Sequence, residues 1–256
     1  MAKPKLSLER IKRSFRRRLN AMPADFREDG FAVKSKSLDF LDDPRFKAAW
    51  AAATDLCSWP KGGGIPSIRW RAHMACWAAS VGLQLEGDFV ECGTNTGILA
   101  KVICEYHDFG RYDRKLYLCD TFAGMPIVSG MSAAEVQYAE DANKGMYRDV
   151  LEQVHEAFAN VKNVILCQGI LPASLQTVDL KKIAFLSMDL NSAAAEQQTI
   201  DVLWPHLTQG AVVLLDDYAH KGHEAQYKMW NQFAASKGLL VATLPSGQGL
   251  LVKGKL

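Results

Sequence analysis

From Asp88 onward the chain alternates short apolar runs with longer stretches of helical spacing. The runs 88–92, 115–119, 163–167, 183–188 and 211–215 read as strands, and 239–244 and 248–253 follow them. Helical patterning fills 97–108, 133–159 with a break near Gly145, 192–207 and 222–237. Strands that stay apolar on both faces and alternate with helices predict a mostly parallel sheet with helices packed on each side. The last two runs are joined by Pro245-Ser246-Gly247-Gln248, short enough for a hairpin, so one edge must be antiparallel. The expected fold class is α/β: seven strands, mostly parallel, with a C-terminal antiparallel hairpin.

Upstream the pattern is weaker. Ser67 to Leu85 reads as an amphipathic helix through Ile68, Ala72, Ala75, Cys76, Ala79 and Leu83. Residues 21–64 form a poorly patterned connection with one helix, about Pro44 to Cys57, ending at Trp59-Pro60-Lys61-Gly62-Gly63-Gly64, a turn or a lid hinge. In residues 1–20, Leu8, Ile11, Phe15 and Leu19 make one apolar stripe beside a face of lysines and arginines opposed only by Glu9. Such a helix docks on the body or on a second subunit, or makes peripheral contact with an anionic membrane surface or polyanionic substrate. The division expected is an N-terminal helical extension or lid, 1–66, and a ligand-binding domain, 67–256.

Composition narrows the function classes. A net charge of +2 gives no general affinity for nucleic acid. No apolar run approaches the ~18 residues of a membrane span, and no signal-peptide core stands at the N-terminus, so a cytoplasmic location is expected. Six cysteines without a C-x-x-C pair read as reduced core thiols.

The candidate chemistry gathers at the carboxyl ends of the strands, where open α/β sheets bind ligands. Gly87 to Gly97, GDFVECGTNTG, reads as a strand, a glycine loop and a helix start. It offers backbone N–H groups at a helix N-terminus, or is only a tight corner. Asn95 stands where a dinucleotide fingerprint needs glycine, which disfavours a nicotinamide-dependent oxidoreductase and favours a smaller nucleoside ligand. The second strand ends in Asp120, placed to accept ribose hydroxyls or to cap the next turn, followed by Thr121 and Phe122. Phe122 lies against an adenine ring or in the core, and Gln168-Gly169-Ile170 border the base. Asp189, Asp216 and Asp217 end the fourth and fifth strands. Gathered together they would repel unless a cation or proton offset them. Oxygen ligands suit Mg²⁺ or Ca²⁺, which lowers the pKa of a coordinated hydroxyl; capping and surface solvation are the alternative. His220 and His223 are candidate general bases or surface residues, and Asp189 is the other candidate for the proton.

Taken together, GDFVECGTNTG, YLCDTFAGMP, the Asp189 segment with Trp204-Pro205-His206-Leu207, and GAVVLLDDY resemble the macrocin O-methyltransferase family. The resemblance runs in the family's order from about Ser67 to Lys253. These are S-adenosylmethionine-dependent enzymes that methylate sugar hydroxyls. The resemblance implies a Rossmann-like class I methyltransferase fold. Glu91, Cys92, Gly93, Thr94 and the loop to Gly97 would hold the methionine part of S-adenosyl-L-methionine, Asp120 its ribose, and Asp189, Asp216 and Asp217 Mg²⁺. It also implies a homo-oligomer and an N-terminal region that helps cover the site; with a small-molecule or glycan acceptor, Asp189 and His220 are the catalytic residues expected from their place at the strand ends. The family's segment after the fourth strand, Asp-Gly-Asp-Leu-Tyr-Glu-Ser, is here Asp189-Leu190-Asn191-Ser192-Ala193-Ala194-Ala195. The function expected is Mg²⁺-assisted O-methylation of a sugar, glycosylated metabolite or polysaccharide. The alanine run motivates the other class: a catalytically impaired cofactor-binding partner protein.

Overall fold

A computed structural model describes residues 24–59 and 66–254. The basic stripe of residues 1–20 and the glycine corner at 62–64 lie outside these residues. The main sheet runs β5-β4-β3-β6-β7-β9-β8. Its strands are β3 (Asp88–Cys92), β4 (Leu116–Asp120), β5 (Val164–Gln168), β6 (Ile183–Met188), β7 (Leu207–Leu215), β8 (Ala242–Thr243) and β9 (Gly249–Val252). β3 to β7 are parallel; β9 pairs antiparallel with β7, and β8 antiparallel with β9. The seven strands and the terminal hairpin are those the hydrophobic pattern predicts. The segment 239–244, however, contributes only Ala242–Thr243 to the sheet.

The helices are α1 (Pro44–Leu56), α2 (Arg69–Gly82), α3 (Ile98–His107), α4 (Ala133–Gly145), α5 (Leu151–Phe158), α6 (Ala193–Leu203) and α7 (Glu224–Ser236). Local chemistry sets their starts. Asp43 caps α1 by accepting from Arg45 N with Pro44 in the first turn. Ser132 and Glu135 form a reciprocal capping box on α4. The expected break near Gly145 separates α4 from α5.

Successive strand residues serve opposite faces. Phe89, Leu116, Leu118, Phe185, Val212 and Leu214 face a core shared with α1, α2 and α3. Val90, Tyr117, Leu186, Val213 and Leu215 face the core that carries Trp230 and Phe233 of α7. This two-sided burial explains why the strands read as unbroken apolar runs. All six cysteines are buried and free. Phe46, Ala49 and Ala53 of α1 enter the same core as α2, so the described part of the N-terminal segment packs into the body.

The connection before α2 holds a feature the sequence pattern does not announce. β1 (Phe26–Glu28) and β2 (Phe31–Val33) form an antiparallel hairpin. Asp29 and Gly30 take positive φ (51° and 74°) at its turn, as a two-residue hairpin loop requires. Phe26 and Phe31 pack on Trp70 at 5.8 and 5.5 Å between ring centroids. Glu28 accepts from Arg69 Nε at 2.6 Å, and the turn is thereby held over the start of α2. Among the described residues no helix is long and apolar enough to cross a membrane.

Candidate active site

β3 is followed outward by β4 and β5, whereas β6 and β7 lie on its other side. The loops leaving β3 and β6 therefore diverge, and a crevice opens between them at the carboxyl edge. A cavity of ≈ 350 Å³ occupies this place, within the range of small-molecule sites.

The floor is the loop after β3. Gly93 has φ 85°, and a Cβ there would lie 1.8 Å from the Asp189 carbonyl oxygen, so only glycine lets the two loops pass. Gly97 (φ 81°) is pressed against Phe158, and Asn95 also takes positive φ. Asp120 organises this loop. Its Oδ2 accepts from Thr94 N at 2.7 Å and Asn95 N at 2.8 Å. Its Oδ1 accepts from Phe122 N at 2.7 Å and from the Thr121 hydroxyl at 3.3 Å. Asp120 thus fills a capping role, and a ribose would have to displace the longest of these bonds, the one from Thr121. Phe122 is buried with φ 55°, an unusual backbone for a bulky residue, held by its N–H on Asp120 and its carbonyl on Val150 N. It packs in the core, as the second reading of it has it, and also lines the cavity.

Glu91 is 5% exposed, and its Oε2 has no hydrogen-bond partner among the described residues; the Thr94 hydroxyl is orphaned in the same way. Burial, reinforced by the Asp216 and Asp120 charges and opposed by the neighbouring Thr94 hydroxyl, pushes the Glu91 carboxyl up to about 8. An unpaired buried acceptor facing a cavity is costly unless a donor arrives there.

At the other rim stand Asp189, Asp216 and Asp217, all lining the cavity. The counter-charge their gathering requires is supplied by the chain itself. Arg71 of α2 is buried; its Nη1 donates to Asp216 Oδ2 at 2.6 Å and to Asp217 Oδ1 at 3.0 Å. Its Nε and Nη2 donate to Asp29 at 2.6 and 3.0 Å, and Nη2 lies 2.6 Å from His220 Nε2. Burial alone would lower the Arg71 pKa, but Asp216, Asp29 and Asp217 outweigh it and hold the guanidinium charged. Asp216 Oδ1 accepts from Gln248 at 2.9 Å, and Asp189 Oδ1 from Asn191 Nδ2 at 2.9 Å. Burial and the neighbouring carboxylates raise the Asp189 pKa well above the usual range despite Arg71. Asn191 also donates to Tyr147 Oη at 3.3 Å, linking Asp189 to a tyrosine on the cavity wall.

These contacts test the expected Mg²⁺ site, and the residues as arranged do not fit it. A hard ion needs several oxygen atoms turned toward one point. Both oxygens of Asp216 and one each of Asp189 and Asp217 are already engaged by nitrogen donors. Among the described residues no group of three His, Cys, Asp or Glu side chains is arranged to hold a metal ion. His220 likewise is not placed as a base. The turn after Asp217 carries it out of the cavity lining, with Nε2 against Arg71 and 3.0 Å from the Ser246 carbonyl. His223 is bonded through Nδ1 to Gln226 and packs on Tyr138.

Of the residues expected to bind the cofactor, Glu91, Gly93, Thr94, Asp120, Thr121, Phe122, Gly169 and Asp189 line the cavity. Cys92 is wholly buried in the core, and Gly97 supports the loop from behind. Gln168 and Ile170 are exposed to solvent rather than turned to the cavity. Pattern reading missed Asp29, Arg71, Tyr138 and Tyr147, all of which line it.

The sequence profile of the macrocin O-methyltransferase family matches residues 62–242. The chain belongs to that family. Among curated proteins it is 30% identical over 156 residues to demethyldecarbamoylnovobiocin O-methyltransferase of Streptomyces niveus, covering 56% of this chain and 57% of that one. It is 27% identical over 141 residues to 8-demethyl-8-(2,3-dimethoxy-alpha-L-rhamnosyl)-tetracenomycin-C 4'-O-methyltransferase of Streptomyces olivaceus, covering 52% and 53% of the two chains. The chain thus spans little more than half the length of these curated relatives. In fold it is similar to the O-methyltransferase NovP, with a TM-score of 0.67 at 19% identity, covering 82% of this chain and 98% of NovP.

Proposed function

We propose that the chain is an S-adenosylmethionine-dependent O-methyltransferase whose acceptor is a hydroxyl of a sugar or glycosylated metabolite. One observation carries the reading: the orphaned Glu91 carboxyl above a glycine loop, in a cavity at the sheet's switch point. Family membership and the rhamnosyl acceptor named for the Streptomyces olivaceus relative support it. When bound, S-adenosylmethionine supplies an electrophilic methyl group on a sulfonium.

The chain's own residues then position and deprotonate. Glu91 would receive the cofactor's ammonium, which would both satisfy Oε2 and favour its ionised form. Asp120 holds the loop and would meet the cofactor's ribose in place of Thr121, and Phe122 and Gly169 would border its base. Asp189 takes the proton from the acceptor hydroxyl through its free Oδ2, while Asn191 fixes its Oδ1. Tyr138 and Tyr147 offer aromatic and hydroxyl contacts to a sugar ring on the same side. Because the sulfonium is already reactive, orientation of the two reactants accounts for most of the acceleration. The metal-dependent form of the reaction is not part of this proposal.

The alanine run does not strip the cavity. Ala193 to Ala195 lie in α6 outside its lining, with Ala193 N donating to Glu135 at 2.7 Å. Calorimetric titration tests the reading: S-adenosylhomocysteine should bind and NAD should not. Transfer of label from methyl-labelled S-adenosylmethionine to a rhamnosylated acceptor should follow. NAD binding without S-adenosylhomocysteine binding would sink the proposal, and cofactor binding with no transfer to any glycoside would leave the impaired-partner reading in its place.

A further inference from the structure

We infer that Arg71 is a built-in counter-ion that stands in for a divalent cation, so that this site excludes Mg²⁺ and works without it. The inference rests on the proposed methyl transfer only for the second half of that statement; the first half concerns binding alone.

The geometry is that of a clasp closed from both sides. From the cavity side Asp216 and Asp217 share Nη1, at 2.6 and 3.0 Å. At the other edge of the guanidinium Asp29, on the turn of the β1–β2 hairpin and also at the cavity wall, grips Nε and Nη2 in a two-point contact. The paired donors of a guanidinium suit such two-point contact with a carboxylate, and a lysine could not reproduce the fork. His220 closes the remaining edge at Nη2, and Gln248 takes the outer oxygen of Asp216. A hard ion entering between Asp216 and Asp217 would have to evict a guanidinium held by three carboxylates, and would then leave that guanidinium buried. Leaving one member of a buried charge cluster unpaired is strongly unfavourable.

Arg71 can also render the service a metal would supply. A fixed positive charge at the cavity wall favours the ionised form of a nearby hydroxyl. It acts as a positioning residue: it sets the direction of two carboxylates and joins the hairpin to the rim of the site. The hairpin turn and the charge balance of the cavity therefore depend on one side chain.

Manganese serves as the probe, because bound Mn²⁺ loses the free-ion electron paramagnetic resonance signal. Full-length wild type, Arg71→Gln and Arg71→Lys would each be titrated with Mn²⁺ and, separately, with S-adenosylhomocysteine. Wild type and Arg71→Lys should leave Mn²⁺ free up to ~1 mM, whereas Arg71→Gln should take up one ion at least ~10-fold more tightly. Wild-type methyl transfer should be equal in EDTA and in MgCl₂. Tight Mn²⁺ binding by the wild type, abolished in Asp216→Asn, would overturn the inference. So would an Arg71→Gln variant that binds S-adenosylhomocysteine but no Mn²⁺. If Arg71→Gln does not fold, the wild-type titration and the EDTA comparison decide. Failure of the wild type to bind S-adenosylhomocysteine would remove the functional reading while leaving the Mn²⁺ result to judge Arg71.

Discussion

Two buried glutamates, one at the cavity and one under the sheet, teach where function resides in this molecule. Glu196 of α6 is 2% exposed and fully answered: Oε1 accepts from Leu190 N at 3.2 Å and Gln226 Nε2 at 2.8 Å, and Oε2 from Trp230 Nε1 at 2.6 Å. Burial lifts its carboxyl only to about 7, because those donors work against desolvation. Glu91 is as deeply buried but has an orphaned oxygen, and burial together with the Asp216 and Asp120 charges pushes it up to about 8. The first is a cross-brace between α6 and α7. The second holds acceptor capacity that the fold does not use, which is what a ligand with a positive group requires.

The largest expected effect breaks the brace. Glu196→Ala should cost about 3 kcal/mol or more, since three donors lose their acceptor inside the core. Denaturant unfolding measures it, and a loss below 1 kcal/mol would contradict the assigned role. Glu91→Gln should do the opposite: S-adenosylhomocysteine affinity falls ~100-fold, about 2.7 kcal/mol, while the fold becomes no less stable at pH 8. Calorimetry and unfolding on the same variant separate the two consequences.

The comparison also has a pH form. Both carboxyls are raised above their ordinary 4.5, so between that pH and about 8 the native state holds protons that the unfolded chain has released. Stability therefore falls as pH rises through this window, with a slope of up to ~1.4 kcal/mol per pH unit for each group. Asp189 adds to the same trend, but Glu91→Gln should flatten it specifically near pH 7 to 8. An unchanged slope in that variant would mean Glu91 is ionised in the apo fold.

Smaller effects sharpen the picture of the loop. Asp120→Ala frees Thr94 N, Asn95 N and Phe122 N, and should weaken S-adenosylhomocysteine roughly 10-fold while costing about 1–2 kcal/mol of stability. Unchanged affinity would mean that the loop keeps its shape without Asp120 and that the ribose lies elsewhere. Thr94→Val, which removes a hydroxyl that meets no partner at good hydrogen-bond geometry and only tempers the rise of the Glu91 carboxyl, should change stability by less than about 0.5 kcal/mol.

Much of this site could be read from the sequence because sheet geometry brings strand ends together. Glu91, Asp120, Asp189, Asp216 and Asp217 each follow an apolar run, and parallel strands deliver such residues to one edge. The need for a positive charge among the three aspartates was equally legible; its identity was not. Arg71 sits at the head of the α2 stripe that continues through Ala75, Ala78, Ala79 and Gly82. Its signal was a cation on a buried face, hidden beside the alanines that define the helix. Asp29 was missed because three-residue strands have no periodicity, and only the Asp29-Gly30 turn marks the hairpin. His220 looked catalytic because it follows the acid pair in sequence. The turn that pairs Ala219 N with Gly247 O carries it instead toward the terminal hairpin.

The central claim is that Glu91 is the unfilled acceptor of a cofactor's ammonium. Titrating S-adenosylhomocysteine at pH 7 in buffers of different ionisation enthalpy tests it most directly, because the carboxyl is then largely protonated and must ionise on binding. Release of most of one proton in the wild type, and none in Glu91→Gln, is the predicted result. Tight binding with no proton released, or the same release in both proteins, would contradict it.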